Sequence, residues 1–249
     1  VLEIDPERRL ARVQPGVVLD DLRQAAERAA GLTFGPDHAT HAWCTLGGMI
    51  GNNSCGTHAL FAGKTVDNVE SLRVVLYGGE TFELGAYDDA AYAALAAAGA
   101  PEARLLSSLR EIGRRAEPLV RERFPAIERR VSGYNLDRIL PGAPLDVAKL
   151  LVGTESTCAL VTEATVTLSV SPQHRRLVVI GYRDVFAAAD DVPRLLELAR
   201  GLGHPLLGLE GFDVTLTDQM RARPLNVAHL PLLPDGAGWL LAELGSLDV

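Results

Sequence analysis

CTLGGMIGNNSCGTHALFAGKT, residues 44–65, decides how the rest of the chain is read: it holds five glycines, two adjacent asparagines, two cysteines and one charge. Glycine loses more conformational freedom on folding than other residues, and a chain uses it where φ must be positive or where another group comes close to the backbone. Gly47, Gly48, Gly51 and Gly56 therefore read as a loop with exposed N–H groups, to which Thr45, Asn52, Asn53 and Ser54 add short polar side chains. Such a loop suits a pyrophosphate and a planar ring. The glycines alone leave a tight structural turn equally open. The stretch is not the strand–GxGxxG–helix fingerprint, because its glycines are adjacent and no acidic ribose partner stands at the right distance.

The same region offers His38, His41, Cys44, Cys55 and His58, five metal-ligating side chains within a short span. Their spacing lacks the paired Cys-x-x-Cys or His-x-x-x-His arrangement of a structural zinc site, so no metal is expected. Three cysteines, with Cys158 the third, cannot supply the four thiolates of an iron–sulfur cluster or an even disulfide framework, and they fit a reduced compartment. The chain has 249 residues, 47% hydrophobic and 22% charged, with a formal net charge of −8. That acidic balance argues against a nucleic-acid surface; the most basic run, RERFPAIERR (121–130), is interleaved with glutamates. No apolar run reaches the ~18–20 residues of a membrane span and no charged-then-apolar leader is read, so a cytoplasmic protein is the expectation.

Outside the glycine-rich stretch the pattern is mixed α and β. VLEIDPERRLARVQPG reads as two short strands about a turn at Asp5–Arg8, and VVLDDLRQAAERAAG as a helix with Val18, Leu22, Ala25, Ala26 and Ala29 on one face and Gly31 as its stop. A hairpin is expected over 69–84 with Gly78–Gly79 at its turn, then helices over most of 89–125. VAKLLVG gives a short helix and Leu160–Val170 a strand. After Pro172 a strand (RRLVVIGY), an amphipathic helix (DVFAAADDVPRLLELARGLG) and two further strands (PLLGLEGF and WLLAELGSLDV) begin a second α+β unit. Pro193 is expected to kink or interrupt that helix.

Three ordered stretches, PDHATHAWCTLGGMIGNNSCG (36–56), GKTVDNVESLRVVLYGGE (63–80) and LLVGTESTCALVTEATVTL (150–168), resemble the FAD-binding domain of the vanillyl-alcohol oxidase (PCMH-type) superfamily. Within it they resemble the FAD-linked oxidases that include D-lactate dehydrogenase, glycolate oxidase and D-2-hydroxyglutarate dehydrogenase, nearest the bacterial members with a flavin domain followed by an iron–sulfur domain. The resemblance implies an α+β fold: residues 1–172 as the second subdomain of a PCMH-type FAD-binding domain, and 173–249 as the start of an α+β cap domain that receives substrate. It implies that Pro36 and Asp37 begin the segment passing the flavin, and that Cys44, Thr45, Gly47 and Gly48 line its pyrophosphate and ring. Asn53, Ser54 and Gly56 match the stretch that wraps the cofactor; Gly153, Thr154 and Glu155 match G-[ST]-E-G-T, and Val161 lies near the adenine end. Ser156 and Cys158 stand where the family usually has Gly and Leu, and Cys55 replaces a further glycine. If position 156 requires positive φ, serine there costs on the order of 1 kcal/mol.

The implied activity is FAD-dependent: hydride transfer from Cα of a small D-2-hydroxy acid to flavin N5, leaving a 2-keto acid, with an iron–sulfur domain or a quinone as electron acceptor. The implied setting is cytoplasmic, peripheral at the membrane in the full-length protein. The alternative is a flavin-binding or electron-transfer module without turnover, or a cofactor-free fragment. No catalytic residue is identified. The family's phosphate loop, P-x-G-x-G-T-S in type, is expected upstream of the strand at Val1–Ile4, so the chain as given is expected to hold little FAD.

Overall fold

The computed structural model describes residues 1–202, 206–224 and 226–246. In chain order the elements are β1 (Glu3–Asp5), β2 (Leu10–Val13), α1 (Leu19–Ala30), β3 (Leu32–Thr33), α2 (Leu46–Asn52), α3 (Ala59–Ala62), β4 (Val69–Leu76), β5 (Thr81–Leu84), β6 (Ala86–Tyr87), α4 (Asp89–Ala97) and α5 (Pro101–Arg123). There follow β7 (Leu145–Asp146), α6 (Val147–Leu151), β8 (Ala159–Thr167), β9 (Ser169–Val170), β10 (His174–Tyr182), α7 (Val185–Leu202), β11 (Leu206–Asp213), α8 (Val214–Ala222) and β12 (Gly238–Ser246). The chain divides into two compact units, one of residues 1–56 and 63–170, the other of 57–62 and 171 onward. Among the described residues no helix is long and apolar enough to cross a membrane.

The first unit is built on a five-stranded antiparallel sheet in the order β1-β2-β8-β4-β5. The β4–β5 hairpin forms where expected, with Gly79 at φ 90°. Its neighbour is not local: β8 lies between β2 and β4, pairing Val13 with Ala164 on one side and Leu72 with Ala164 on the other. Alternate residues of these strands, among them Val13, Leu72, Val74, Ala164 and Val166, are buried and join α1, α2 and α6 in one core. Strand β8 is shorter than the run Leu160–Val170 suggests, because Leu168 leaves the ladder and Ser169–Val170 turn to pair with β3 instead. In α1 the buried stripe is Leu19, Leu22 and Ala26; Val18 is the N-cap and Ala29 is exposed, so the apolar face is rotated from the expected one. Gly31 ends the helix in the left-handed region at φ 63°, as a stop residue should.

The second unit holds the antiparallel sheet β10-β12-β11 with α7 and α8, and the segment 57–62 belongs to it. Gly208 admits that segment: a Cβ there would lie 3.2 Å from the Thr57 carbonyl oxygen. Helix α7 continues through Pro193, so of the expected kink or interruption the interruption does not occur. One missing N–H bond does not end a helix held on both sides by further turns. Asp191 on α7 accepts hydrogen bonds from the Tyr182 hydroxyl at 2.8 Å and from Arg194 Nε at 2.6 Å, tying β10 to the helix. Pro205 in the expected strand PLLGLEGF and residues 247–249 of WLLAELGSLDV lie outside the described residues.

Two expected outcomes follow. On α5, Leu106, Gly113 and Val120 form one buried ridge, and a Cβ on Gly113 would collide with the Ile139 carbonyl oxygen. Gly113→Ala gains about 1 kcal/mol of helix propensity but overpacks a backbone contact at about 1–3 kcal/mol. Chemical denaturation should therefore show a lower midpoint, and an equal or higher one would mean that the Ile139 segment yields. Arg194, and after it Tyr182, hold the Asp191 carboxyl down to about 2. A carboxyl with a depressed folded-state pKa adds stability that is complete above its unfolded value of about 4 and is lost as pH falls towards about 2. Denaturation midpoints measured across that window should fall less steeply for Asp191→Asn than for the wild type.

Candidate functional site

The stretch expected to be a loop is a helix. Thr45 is its N-cap, extended at φ −97° and ψ 154°, with Oγ1 accepting the Gly48 N–H at 3.3 Å; Asn53 closes it in the left-handed region at φ 55°. Gly47, Gly48 and Gly51 lie inside α2, and neither they nor Gly56 has positive φ. Helical glycine costs about 1 kcal/mol relative to alanine, so each needs a packing reason. A Cβ on Gly47 would lie 2.6 Å from Pro15 Cβ. Gly51 has no such reason within the chain: an added Cβ would make ordinary contact, 3.8 Å from Glu155 Cα. Gly48 would meet only Thr45 Oγ1, at 3.5 Å, and faces open space. Gly56 is needed for a different close approach, since its Cβ would collide with the Asp37 carbonyl.

The first-turn N–H groups of α2 are not free for a ligand, which corrects the expectation of exposed donors. Leu46 N–H donates to the Val17 carbonyl at 2.8 Å, Gly47 N–H to the Pro15 carbonyl at 2.8 Å, and Gly48 N–H to Thr45. The helix start is thereby stitched to the 15–17 segment.

The opposite wall comes from 151–161. Gly153 has φ 86°, and a Cβ there would press to 3.3 Å from Asn53 Cβ. Its N–H donates to the Ile50 carbonyl at 2.8 Å, and Glu155 N–H donates to the Gly51 carbonyl at 2.8 Å. These bonds satisfy carbonyls that the end of α2 leaves without helical partners. Glu155 at φ 50° and Ser156 at φ 60° are both left-handed, so position 156 has the geometry at which serine is disfavoured. Thr154 is buried, its hydroxyl donating to the Leu151 carbonyl at 2.8 Å.

Between the two walls lies a cavity of about 310 Å³. Of the residues singled out in the sequence it is lined by Thr45, Gly47, Gly48, Thr154 and Val161, together with Pro15, Gly16, Gly51 and Ser156 and the aliphatic Ile50, Leu151, Ala159 and Leu160. No charged side chain is among the lining residues. Sequence reasoning missed Pro15–Gly16; the signal was the Pro-Gly pair itself, read only as the end of a strand. Gly153 and Glu155 act behind the wall through their backbone bonds. Asn53 is 1% exposed and accepts the Val66 N–H at 3.0 Å, while its Nδ2 has no partner among the described residues. Ser54 donates to Asn52 Oδ1 at 2.6 Å, and its carbonyl accepts the Thr65 hydroxyl at 2.7 Å. Pro36 is buried, Asp37 packs on Gly56, and half-buried Cys44 precedes the N-cap. None of these lines the cavity.

The histidines of the region go separate ways. His38 pairs with Thr40 at 2.9 Å, His41 with Asp20 at 2.8 Å and His58 with Glu243 at 2.9 Å. Among the described residues no three His, Cys, Asp or Glu side chains come together as a metal site. Three larger cavities lie elsewhere among the described residues of the first unit: the smallest, about 350 Å³, is lined by Arg12, Arg73, Glu83 and Glu163 among others, and two are larger still. One, of about 530 Å³, is walled mainly by aliphatic side chains of the hairpin and α5 and shares only Leu151 and Thr154 with the glycine-walled cavity. The other, of about 490 Å³, lies along 139–145, where Arg110 is paired with Asp89.

Comparison with known proteins agrees with this architecture. Residues 1–85 match the model of a FAD binding domain family. The chain is 35% identical over 199 residues to a D-2-hydroxyglutarate dehydrogenase of Pantoea ananatis, covering 79% of this chain and 19% of that protein. It is 31% identical over 196 residues to the glycolate oxidase subunit GlcD of Bacillus subtilis, covering 79% and 31%. The chain thus spans about a fifth of the length of the D-2-hydroxyglutarate dehydrogenases it matches. A solved alkyldihydroxyacetonephosphate synthase shares the fold with a TM-score of 0.60 at 16% identity, over 98% of this chain and 36% of that one. With three ordered motifs, an antiparallel α+β architecture and these relatives in agreement, residues 1–85 belong to a FAD binding domain with FAD as its cofactor, and the chain is similar over most of its length to D-2-hydroxyglutarate dehydrogenases and a glycolate oxidase subunit.

Proposed function

We propose that this chain is part of a FAD-dependent dehydrogenase that oxidises a small D-2-hydroxy acid to the 2-keto acid. Residues 1–172 serve in its FAD-binding domain and 173–249 in its substrate domain. The observation that carries the reading is that two distant stretches, 45–51 and 151–161, wall one uncharged cavity. The residues present fit part of the cofactor. Gly48 and Gly16 leave space that a side chain would fill: a Cβ on Gly16 meets nothing within 4 Å. An uncharged, largely aliphatic wall with the hydroxyls of Thr45, Thr154 and Ser156 suits a planar ring and sugar. The pyrophosphate is assigned elsewhere, because the first-turn N–H groups of α2 are already bonded within the chain.

When bound, the flavin supplies the hydride acceptor. The residues of this chain contribute binding and orientation. Thr45, through its cap, fixes the start of α2; Gly47 keeps that helix against Pro15; Ile50, Leu151 and Val161 exclude water from the ring. In this reading the protein is cytoplasmic and its electrons pass to an iron–sulfur domain or a quinone. The relatives named as dehydrogenases and an oxidase of hydroxy acids support the substrate class.

The test is anaerobic mixing of the purified natural protein, yellow with flavin, with D- and L-2-hydroxyglutarate, D-lactate and glycolate. Bleaching by a D-2-hydroxy acid is expected; bound flavin that none of them reduces would overturn the reading. A second outcome concerns Gly48. Gly48→Val places a β-branched side chain in the open side of the cavity, at a position where no backbone crowds it. Helix propensity makes valine no worse than glycine there. The variant should keep its denaturation midpoint within about 1 kcal/mol and lose flavin, read from the ratio of visible to ultraviolet absorbance. Undiminished flavin would remove Gly48 from the site.

A further inference from the structure

The turn that forms one wall of the cavity holds two consecutive non-glycine residues, Glu155 and Ser156, at φ 50° and 60°. L-residues with a Cβ avoid this region, and a chain keeps them there only when surrounding contacts over-determine the conformation. Two tyrosine hydroxyls reach the turn from elements outside the cavity. Tyr77, in the tip of the β4–β5 hairpin, donates to the Ser156 carbonyl at 3.2 Å. Tyr134, in the segment after α5, lies 2.6 Å from Thr157 Oγ1. Because the Thr157 hydroxyl itself donates to the Thr154 carbonyl at 2.5 Å, the proton between Tyr134 and Thr157 is contributed by the tyrosine. The two hydroxyls thus bond at the strained pair and just after it, one on the Ser156 carbonyl and the other on Thr157, whose hydroxyl reaches back to the Thr154 carbonyl. Neither tyrosine lines the cavity, whereas Thr154 and Ser156 do.

We infer that Tyr77 and Tyr134 are positioning residues for the cofactor: they clamp the 153–157 turn in its left-handed form and so set where Thr154 and Ser156 stand against the ligand. This rests on the flavin reading for its consequence, but the clamp itself is a property of the apo chain. An exposed ring such as Tyr77, 83% accessible, adds little by burial, so its effect runs through its hydroxyl. Glycine at 156 would adopt the same φ without strain and make the clamp dispensable.

The experiment, in the full-length natural protein, compares the wild type, the double variant Tyr77→Phe/Tyr134→Phe, which keeps both rings, and the same double variant carrying Ser156→Gly. Amide hydrogen exchange is read without cofactor, and FAD affinity by titration. In the double variant the Glu155 and Thr157 amides, now bonded to the Gly51 and Thr154 carbonyls, should exchange roughly tenfold faster, and the FAD Kd should rise roughly five- to tenfold, the scale of one or two lost hydrogen bonds. Exchange in β4 and α5 should stay unchanged. Ser156→Gly should recover most of both losses. Unchanged exchange at Glu155 and Thr157, acceleration spread evenly over the first unit, or a failure of Ser156→Gly to rescue would each overturn the clamp. If the wild type takes up no FAD, the flavin reading fails, while the exchange and rescue data still decide whether the tyrosines hold the turn.

Discussion

Two backbone hydrogen bonds organise the site: Gly153 N–H to the Ile50 carbonyl and Glu155 N–H to the Gly51 carbonyl, each 2.8 Å. They join the end of α2 to the turn that leads into β8, and each depends on the other partner's shape. The carbonyls are available because a helix leaves its last acceptors without partners. The N–H groups point the right way because Gly153, Glu155 and Ser156 take positive φ. Without this junction the two walls would have no fixed separation, and the cavity between them no defined shape.

Helix α2 carries glycine at three of its seven positions at a cost in helix stability. One of them serves the chain itself: Gly47 lets Pro15 close on the helix start. Gly48 and Gly51, where an added Cβ would meet nothing closer than 3.5 and 3.8 Å, border the cavity. A glycine-rich stretch in a cofactor domain is easily taken as a cradle for phosphate. Here part of its permissiveness is used to bring backbone against backbone, and the donors of the first helical turn are consumed in doing so. What remains for a ligand is an uncharged surface, and that favours a ring system over an anion.

The second unit is built by different means. Its three-stranded sheet is short of apolar cover on β10, where Leu177 and Val178 are exposed, and its polar ties are correspondingly prominent. Tyr182, Asp191 and Arg194 connect strand to helix, and His58 and Arg175 converge on Glu243. His58 arrives from the 57–62 segment, far earlier in the chain than the strands it meets. Residues that look like a metal-binding run in sequence are thus divided between separate partners.

What the sequence by itself determined was whatever a few neighbouring residues can encode. The hairpin over 69–84 was legible from Gly78–Gly79 between two apolar runs, the stop of α1 from Gly31, and the family from three ordered motifs. Serine at 156 could be named as a departure, though not its φ. The rest required distant parts of the chain to meet. Nothing local places β8 between β2 and β4, because a strand's pattern says which face is buried and not which strand lies beside it. Nothing local shows that 46–52 is a helix, since three glycines lower the intrinsic preference and only the Thr45 cap, the Pro15–Val17 carbonyls and the buried Leu46, Met49 and Ile50 restore it. Pro15 and Gly16 belong to the site for the same reason: their role exists only once Gly47 has packed against them, and that contact is made by tertiary structure alone.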